Sequence, residues 1–152
     1  DTINSLIKSG KIKSFGVSNF TTSQMEMLKG KVEILYNQIN LSLTHVEHMF
    51  DGTLEYMQAN NILPMAYSPL GSYFKNENNE LNKVVDKLKN KYDCTDYELI
   101  ISWLLNHPSK IYPVIGTTKS ERIRKSIESL KIQIDLIDWF ELLEASQGKR
   151  VP

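Results

Sequence analysis

The chain has a single cysteine, no surplus of either charge and no long hydrophobic run. One Cys in 152 residues excludes a disulfide framework and the common cysteine-ligated zinc sites. Its 18 basic residues balance 18 acidic ones, which argues against nucleic acid or an anionic membrane as the main partner. No apolar stretch approaches the roughly 18 residues of a membrane span. The start, Asp1 to Gly10, has neither the basic region nor the apolar core of a signal peptide. These absences leave a reducing, cytoplasmic setting as the default. An initiator Met is also missing, and the chain enters partway through a helical pattern, with Ile3, Leu6 and Ile7 on one face and Gly10 as a stop. It reads as a chain joined in the middle. Its length falls short of a complete (β/α)₈ barrel, which typically takes about 250 residues.

What is present is the apolar content of a folded domain, 41% hydrophobic against 24% charged. Four short apolar runs, Ile12 to Val17, Glu33 to Ile39, Ile62 to Tyr67 and Ile111 to Ile115, read as strands. Helical patterns separate them. Thr21 and Ser23 precede Gln24 and Glu26 at capping-box spacing, ahead of Met25 and Leu28. A helix over Asp51 to Asn60 is expected to turn Leu54, Met57 and Gln58 inward. Leu81, Val84, Val85 and Leu88 recur at helical spacing until Tyr92-Asp93-Cys94 interrupts them. Thr95 with Glu98 predicts a cap for a helix carrying Leu99, Ile100, Trp103 and Leu104, which Pro108 ends. Thr118 with Glu121 predicts another cap, ahead of an Ile123, Ile127 and Leu130 face. A last helix from Asp135 is expected to bury Ile137, Trp139, Phe140 and Leu143. Alternating β and α implies a parallel sheet with helices packed outside it.

Polar residues gather where each strand ends: Ser18 and Asn19, Asn37 and Gln38, Tyr67, Ser68 and Gly71, then Gly116, Thr117, Thr118 and Lys119. In parallel α/β folds ligands bind outside the carboxyl ends of strands. Caps and turns also use these residue types, but Asn37 and Gln38 cap nothing and are expected near-buried. Gly116 to Ser120, opening a helix beside Lys119 and Arg122, suggests an anion site or simply a good N-cap. It is not a Walker A loop. His45 and His48 have metal-like spacing without a third ligand, and read better as solvated loop residues. His107 ends a helix. Cys94 precedes a helix N-terminus and reads as a small buried residue.

Four ordered motifs carry a resemblance. Gly10-Lys-Ile-Lys-Ser-Phe-Gly-Val-Ser-Asn-Phe20 is similar to the fifth-strand signature of the aldo-keto reductases. Tyr36-Asn-Gln38 resembles their sixth strand, Ala66-Tyr-Ser-Pro-Leu-Gly71 their seventh and Pro113-Val-Ile-Gly-Thr-Thr-Lys119 their eighth. Asp51-Gly-Thr-Leu54 and the Val151-Pro152 ending look most like a bacterial branch.

The resemblance implies the C-terminal half of a (β/α)₈ barrel, strands five to eight with their helices and the terminal helix, residues 1–152 forming one segment. It implies NADPH, with NADH as a possible substitute, and a small carbonyl substrate reduced to an alcohol. Ser18, Asn19 and Gln38 match residues that hydrogen-bond the nicotinamide carboxamide, and Tyr67 matches the aromatic that stacks on its ring. Ser68, Leu70, Gly71 and Ser72 match the loop along the pyrophosphate. Gly116, Thr117, Thr118, Lys119 and Arg122 match the segment at the adenosine end, where cations favour a 2′-phosphate. Lys125 and Ser126 depart from the pattern, standing where an acid–amide pair often contacts adenine. The family's Asp, Tyr, Lys and His tetrad maps to no residue here, so the chain alone is expected to be inactive. The alternative is a non-catalytic cofactor-binding relative, or a half-barrel module that pairs with a missing N-terminal half or with itself. Neither reading involves nucleic acid or a membrane.

Overall fold

Two capping boxes start helices where the pattern puts them. The Thr21 hydroxyl accepts from the Gln24 N–H while the Gln24 side chain accepts from the Thr21 N–H. Thr95 and Glu98 repeat the arrangement, and each box satisfies two otherwise orphaned backbone donors. The computed structural model describes residues 1–151. Its elements run α1 (Thr2–Lys8), β1 (Gly16–Ser18), α2 (Thr22–Leu28), β2 (Tyr36–Asn40), α3 (Thr53–Ala59), β3 (Leu63–Tyr67), α4 (Asn79–Lys91), α5 (Asp96–Leu105), β4 (Tyr112–Pro113), α6 (Ser120–Glu128) and α7 (Leu136–Gln147).

The strands form one parallel sheet in sequence order. Ser18 lies opposite Gln38, Gln38 opposite Met65, and Met65 opposite Tyr112; in the next row Asn40 lies opposite Tyr67. Along β2 and β3 the side chains alternate, Asn37, Ile39, Pro64 and Ala66 being buried while Tyr36, Gln38, Asn40, Leu63, Met65 and Tyr67 are half-buried. Because successive strand residues face opposite ways, helices cover one face only. The other face is open. No helix among the described residues is long and apolar enough to cross a membrane.

The strands at the two edges are shorter than predicted. The Lys11 and Ile12 amides close the end of α1 by donating to the Leu6 carbonyl, so β1 begins only at Gly16, where pairing with Tyr36 starts. At the other edge β4 is two residues, paired through Met65–Tyr112 and Ala66–Pro113. Pro113 lacks an N–H and suits an edge strand.

Expectations for three helices are corrected. The Thr118–Glu121 box does not form: Thr117 Oγ1 accepts from the Lys119 N–H, and α6 starts after Lys119 without a side-chain cap. Ile123, Ile127 and Leu130 remain exposed, since among the described residues no strand lies beyond β4 to bring cover over them. In α7 the predicted face is turned by about one residue, roughly 100°. Ile137 is 81% exposed and Phe140 40%, while Asp138, Trp139, Leu142 and Leu143 are buried. The cause is Trp139, which stacks on Trp103 at 4.7 Å. Each indole N–H donates to the other residue's carbonyl, at 3.0 and 2.9 Å. Gln58 is exposed as well, because α3 presents Thr53, Leu54 and Met57 to the core. That helix begins at Thr53, two residues late, with Asp51 Oδ1 accepting from the Thr53 N–H.

Candidate functional site

The polar strand ends form two groups at one end of the sheet. In the first, β1 and β2 are tied together by the Gln38 carbonyl, which accepts from the Asn19 N–H at 2.8 Å and from the Ser18 hydroxyl at 3.2 Å. Asn19 takes a φ of +55°, a conformation its short polar side chain tolerates. Its amide donates weakly to Ser18 Oγ, at 3.4 Å. The Gln38 side-chain amide has no hydrogen-bond partner among the described residues and projects from the open face. Asn37 has a different task. Fully buried on the helix side, it accepts from the Phe20 N–H at 3.3 Å and donates to the Phe20 carbonyl at 2.9 Å. It braces the loop that carries Ser18 and Asn19.

The second group lines a cavity of about 400 Å³. There the structure joins Tyr67, Ser68, Leu70 and Gly71, after β3, to Gly116, Thr117 and Arg122, after β4. The chain turns sharply on leaving β3: the Gly71 N–H donates to the Ser68 carbonyl at 2.8 Å, with Ser68 at φ +51° and Gly71 at φ +54°. A Cβ at Gly71 would lie 2.1 Å from Thr44 Oγ1 and 2.4 Å from Ser42 Oγ, so only glycine fits. Thr44 Oγ1 also accepts from the Ser72 N–H at 2.9 Å. Ser72 is thereby held against Thr44, outside this cavity, in a neighbouring polar pocket. Thr118 and Lys119 are exposed beyond the rim. Backbone at Gly116 is open, a Cβ there meeting nothing within 4 Å.

The electrostatics of this end favour an anion. Arg122 lines the cavity, and neither it nor Lys119 makes an ion pair among the described residues, whereas Lys125 pairs with Glu121 at 3.3 Å. Both free cations sit at the start of α6, where the helix dipole adds to their charge. An open glycine backbone, unpaired cations and a free amide fit a nicotinamide dinucleotide.

Other candidates have structural roles. Burial, with Glu98, Asp93 and Asp96 nearby, pushes the Cys94 thiol up to about 11, far from a reactive thiolate. His48 Nδ1 pairs with Asp51 at 2.9 Å. Burial holds His107 below its ordinary pKa, and its Nδ1 accepts from the Ser109 N–H at 3.2 Å. Among the described residues no cluster of three or more His, Cys, Asp or Glu suits a metal. Three residues of the site were missed. Tyr97 of α5 lines the cavity, and Ser42 and Thr44 buttress the loop after β3. Each acts across a long stretch of chain, and no local pattern marks them.

A parallel sheet with helices on one face and a cavity at its carboxyl end defines an α/β protein with a candidate ligand site in the usual place. The particular family follows from comparison: the Aldo/keto reductase family profile matches residues 1–146, and the chain belongs to that family. It is 35% identical to 6-dehydroglucose reductase of Agrobacterium fabrum, over 98% of this chain and 52% of that protein. It is 37% identical to the uncharacterized oxidoreductase YcsN of Bacillus subtilis, over 95% and 51%. Among solved structures, the Bombyx mori aldo-keto reductase in complex with NADP superposes with a TM-score of 0.79 at 22% identity, over 97% of this chain and 48% of that one. The chain spans about half the length of the relatives it matches.

Proposed function

We propose that residues 1–152 form the C-terminal half of an NAD(P)H-dependent aldo-keto reductase barrel, strands five to eight with their helices and the terminal helix, working in the cytoplasm on a small aldehyde or ketone. The cavity that unites the turn after β3 with Gly116, Thr117 and Arg122 carries this reading. Ser18, Asn19 and Gln38 would hold the carboxamide, and Gln38 is free to do so because its backbone carbonyl already fixes the other two. Tyr67 would lie against the nicotinamide ring. Ser68, Leu70, Gly71 and the adjoining Ser72 would follow the pyrophosphate. Gly116, Thr117, Thr118, Lys119 and Arg122 would take the adenosine end, their positive charge favouring NADPH, with NADH as the weaker ligand. Bound there, the dinucleotide supplies a hydride for carbonyl reduction. On this reading the chain binds and orients, and the proton for the carbonyl oxygen comes from the missing N-terminal half.

The test compares residues 1–152 alone with the same residues joined to whatever sequence precedes them in their reading frame. The isolated chain is expected to bind NADPH weakly and reduce no aldehyde, and the joined protein to do both. Aldehyde reduction by residues 1–152 alone overturns the assignment. A second reading, pairing with another copy or with a missing half, has an observation of its own. β1 and β4 each pair on one side, and an apolar groove of about 730 Å³ beside β4 is lined by Ile111, Tyr112, Ile123, Ile127 and Leu130. Sedimentation of the isolated chain separates self-association from a monomer.

A further inference from the structure

We propose that Tyr97 is a positioning residue: through Ser126 it sets where Arg122 stands at the phosphate end of the cavity. The inference rests on reading the cavity as a dinucleotide site. Helix α6 buries no side chain of its own. Apart from bonds to the Ser129–Lys131 turn that continues it, such as Ser129 Oγ donating to the Lys125 carbonyl at 2.8 Å, one side-chain hydrogen bond among the described residues links Ser120–Glu128 to the rest of the chain, between the Tyr97 hydroxyl and Ser126 Oγ at 2.7 Å.

The direction of that bond follows from proton supply. Ser126 has one hydroxyl proton and donates it to the Arg122 carbonyl at 2.8 Å, so the Tyr97 hydroxyl is the donor to Ser126. The chain of bonds ends on the backbone of the residue whose guanidinium lines the cavity. Its other end is firm: Tyr97 sits in the first turn of α5, inside the Thr95–Glu98 box and just ahead of the buried run from Leu99 to Leu104. The Tyr97 ring lines the same cavity. Ser126 therefore has no proton left to donate to a base. Selectivity at this end passes instead to the placement of Arg122.

The test uses the protein as the cell makes it, titrated with NADPH and with NADH, together with amide exchange of α6 in the absence of nucleotide. Tyr97→Phe keeps the ring and removes the donor. NADPH affinity should fall about fivefold, the worth of one neutral hydrogen bond, while NADH affinity moves less than about twofold. Amides of α6 should exchange faster. Ser126→Ala should match it, and the double variant should lose no more than either single one. Equal losses for both nucleotides, or unchanged selectivity and exchange, overturn the proposal. If the parent protein binds neither nucleotide, the dinucleotide reading fails. The positioning of Arg122 is then judged with inorganic phosphate, and equal binding by parent and Tyr97→Phe overturns it.

Discussion

Helices α6 and α7 follow one another in the chain, both amphipathic, and they are held in opposite ways. In α7, Asp138, Trp139, Leu142 and Leu143 are buried, and the helix is bonded through both indoles to α5. In α6 nothing is buried, and two hydroxyls of α5 hold it sideways: that of Tyr97 on Ser126, and that of Ser102 on the Ser129 carbonyl at the helix end. The first arrangement spends its apolar side chains on stability. The second leaves them at the edge of the sheet and keeps its cations beside a cavity. Stability and ligand contact are thus assigned to neighbouring helices, as expected when binding segments are drawn from the less stable parts of a fold.

The contrast breaks most severely at the indole pair. Trp103→Ala removes a fully buried ring and the donor to the Trp139 carbonyl, and should lower unfolding free energy by about 3–5 kcal/mol in urea titrations. A loss below about 1 kcal/mol would mean that α7 is not anchored through these rings.

Next in size is the polar clamp between α4 and α7. Asp138 accepts from Lys91 Nζ at 2.6 Å and from the Tyr92 hydroxyl at 2.5 Å, and that hydroxyl accepts from the Asp135 N–H at 2.9 Å. Burial would raise the Asp138 pKa, but these hydrogen bonds and the Lys91 and Lys87 charges outweigh it and hold the carboxyl below its ordinary value. The linked stability is therefore present above the unfolded-chain pKa and lost as pH falls through the lower folded one. Asp138→Asn should cost about 2 kcal/mol near neutrality. It should also flatten the acid limb of the stability curve, and an unchanged limb would refute the linkage.

Gly71→Ala acts at the cavity instead. Positive φ and a Cβ at 2.1 Å from Thr44 Oγ1 should together cost about 2 kcal/mol or displace the turn. Displacement would show as weakened nucleotide binding. A variant with parental stability and affinity would show that the turn is looser than its close approach to Thr44 implies.

Much of this division was written locally. The boxes at Thr21 and Thr95 stand where their spacing predicts, because a capping box needs only four residues, whereas the same spacing at Thr118 failed where Thr117 Oγ1 took the Lys119 N–H. The order of four strands and the polar residues at their ends were legible for the same reason. Faces were not. Periodicity marks α6 and α7 as amphipathic without saying what each meets, so it equates an Ile127 with nothing over it and a Leu143 packed in the core. The turn after β3 looked like a Gly-containing loop, but its need for glycine comes from Ser42 and Thr44, 29 and 27 residues earlier. Tyr97 and Ser126 likewise lie 29 residues apart. Such contacts depend on how strands stack and leave no short-range trace.

The smallest expected effect sharpens the comparison furthest. Ile127 is 55% exposed, so Ile127→Ser in residues 1–152 should change stability by less than about 0.5 kcal/mol. Leu143→Ala in the same chain removes a core side chain and should cost about 2–5 kcal/mol. If the chain is half of a barrel, the groove beside β4 is covered once the other half is joined, and Ile127 then becomes a core residue. In the joined protein the same Ile127→Ser should cost about 2 kcal/mol. An equally small effect in both settings would leave α6 a surface helix and remove the groove from the barrel interface. A large effect in the isolated chain, with sedimentation as a dimer, would instead place a second copy on this face.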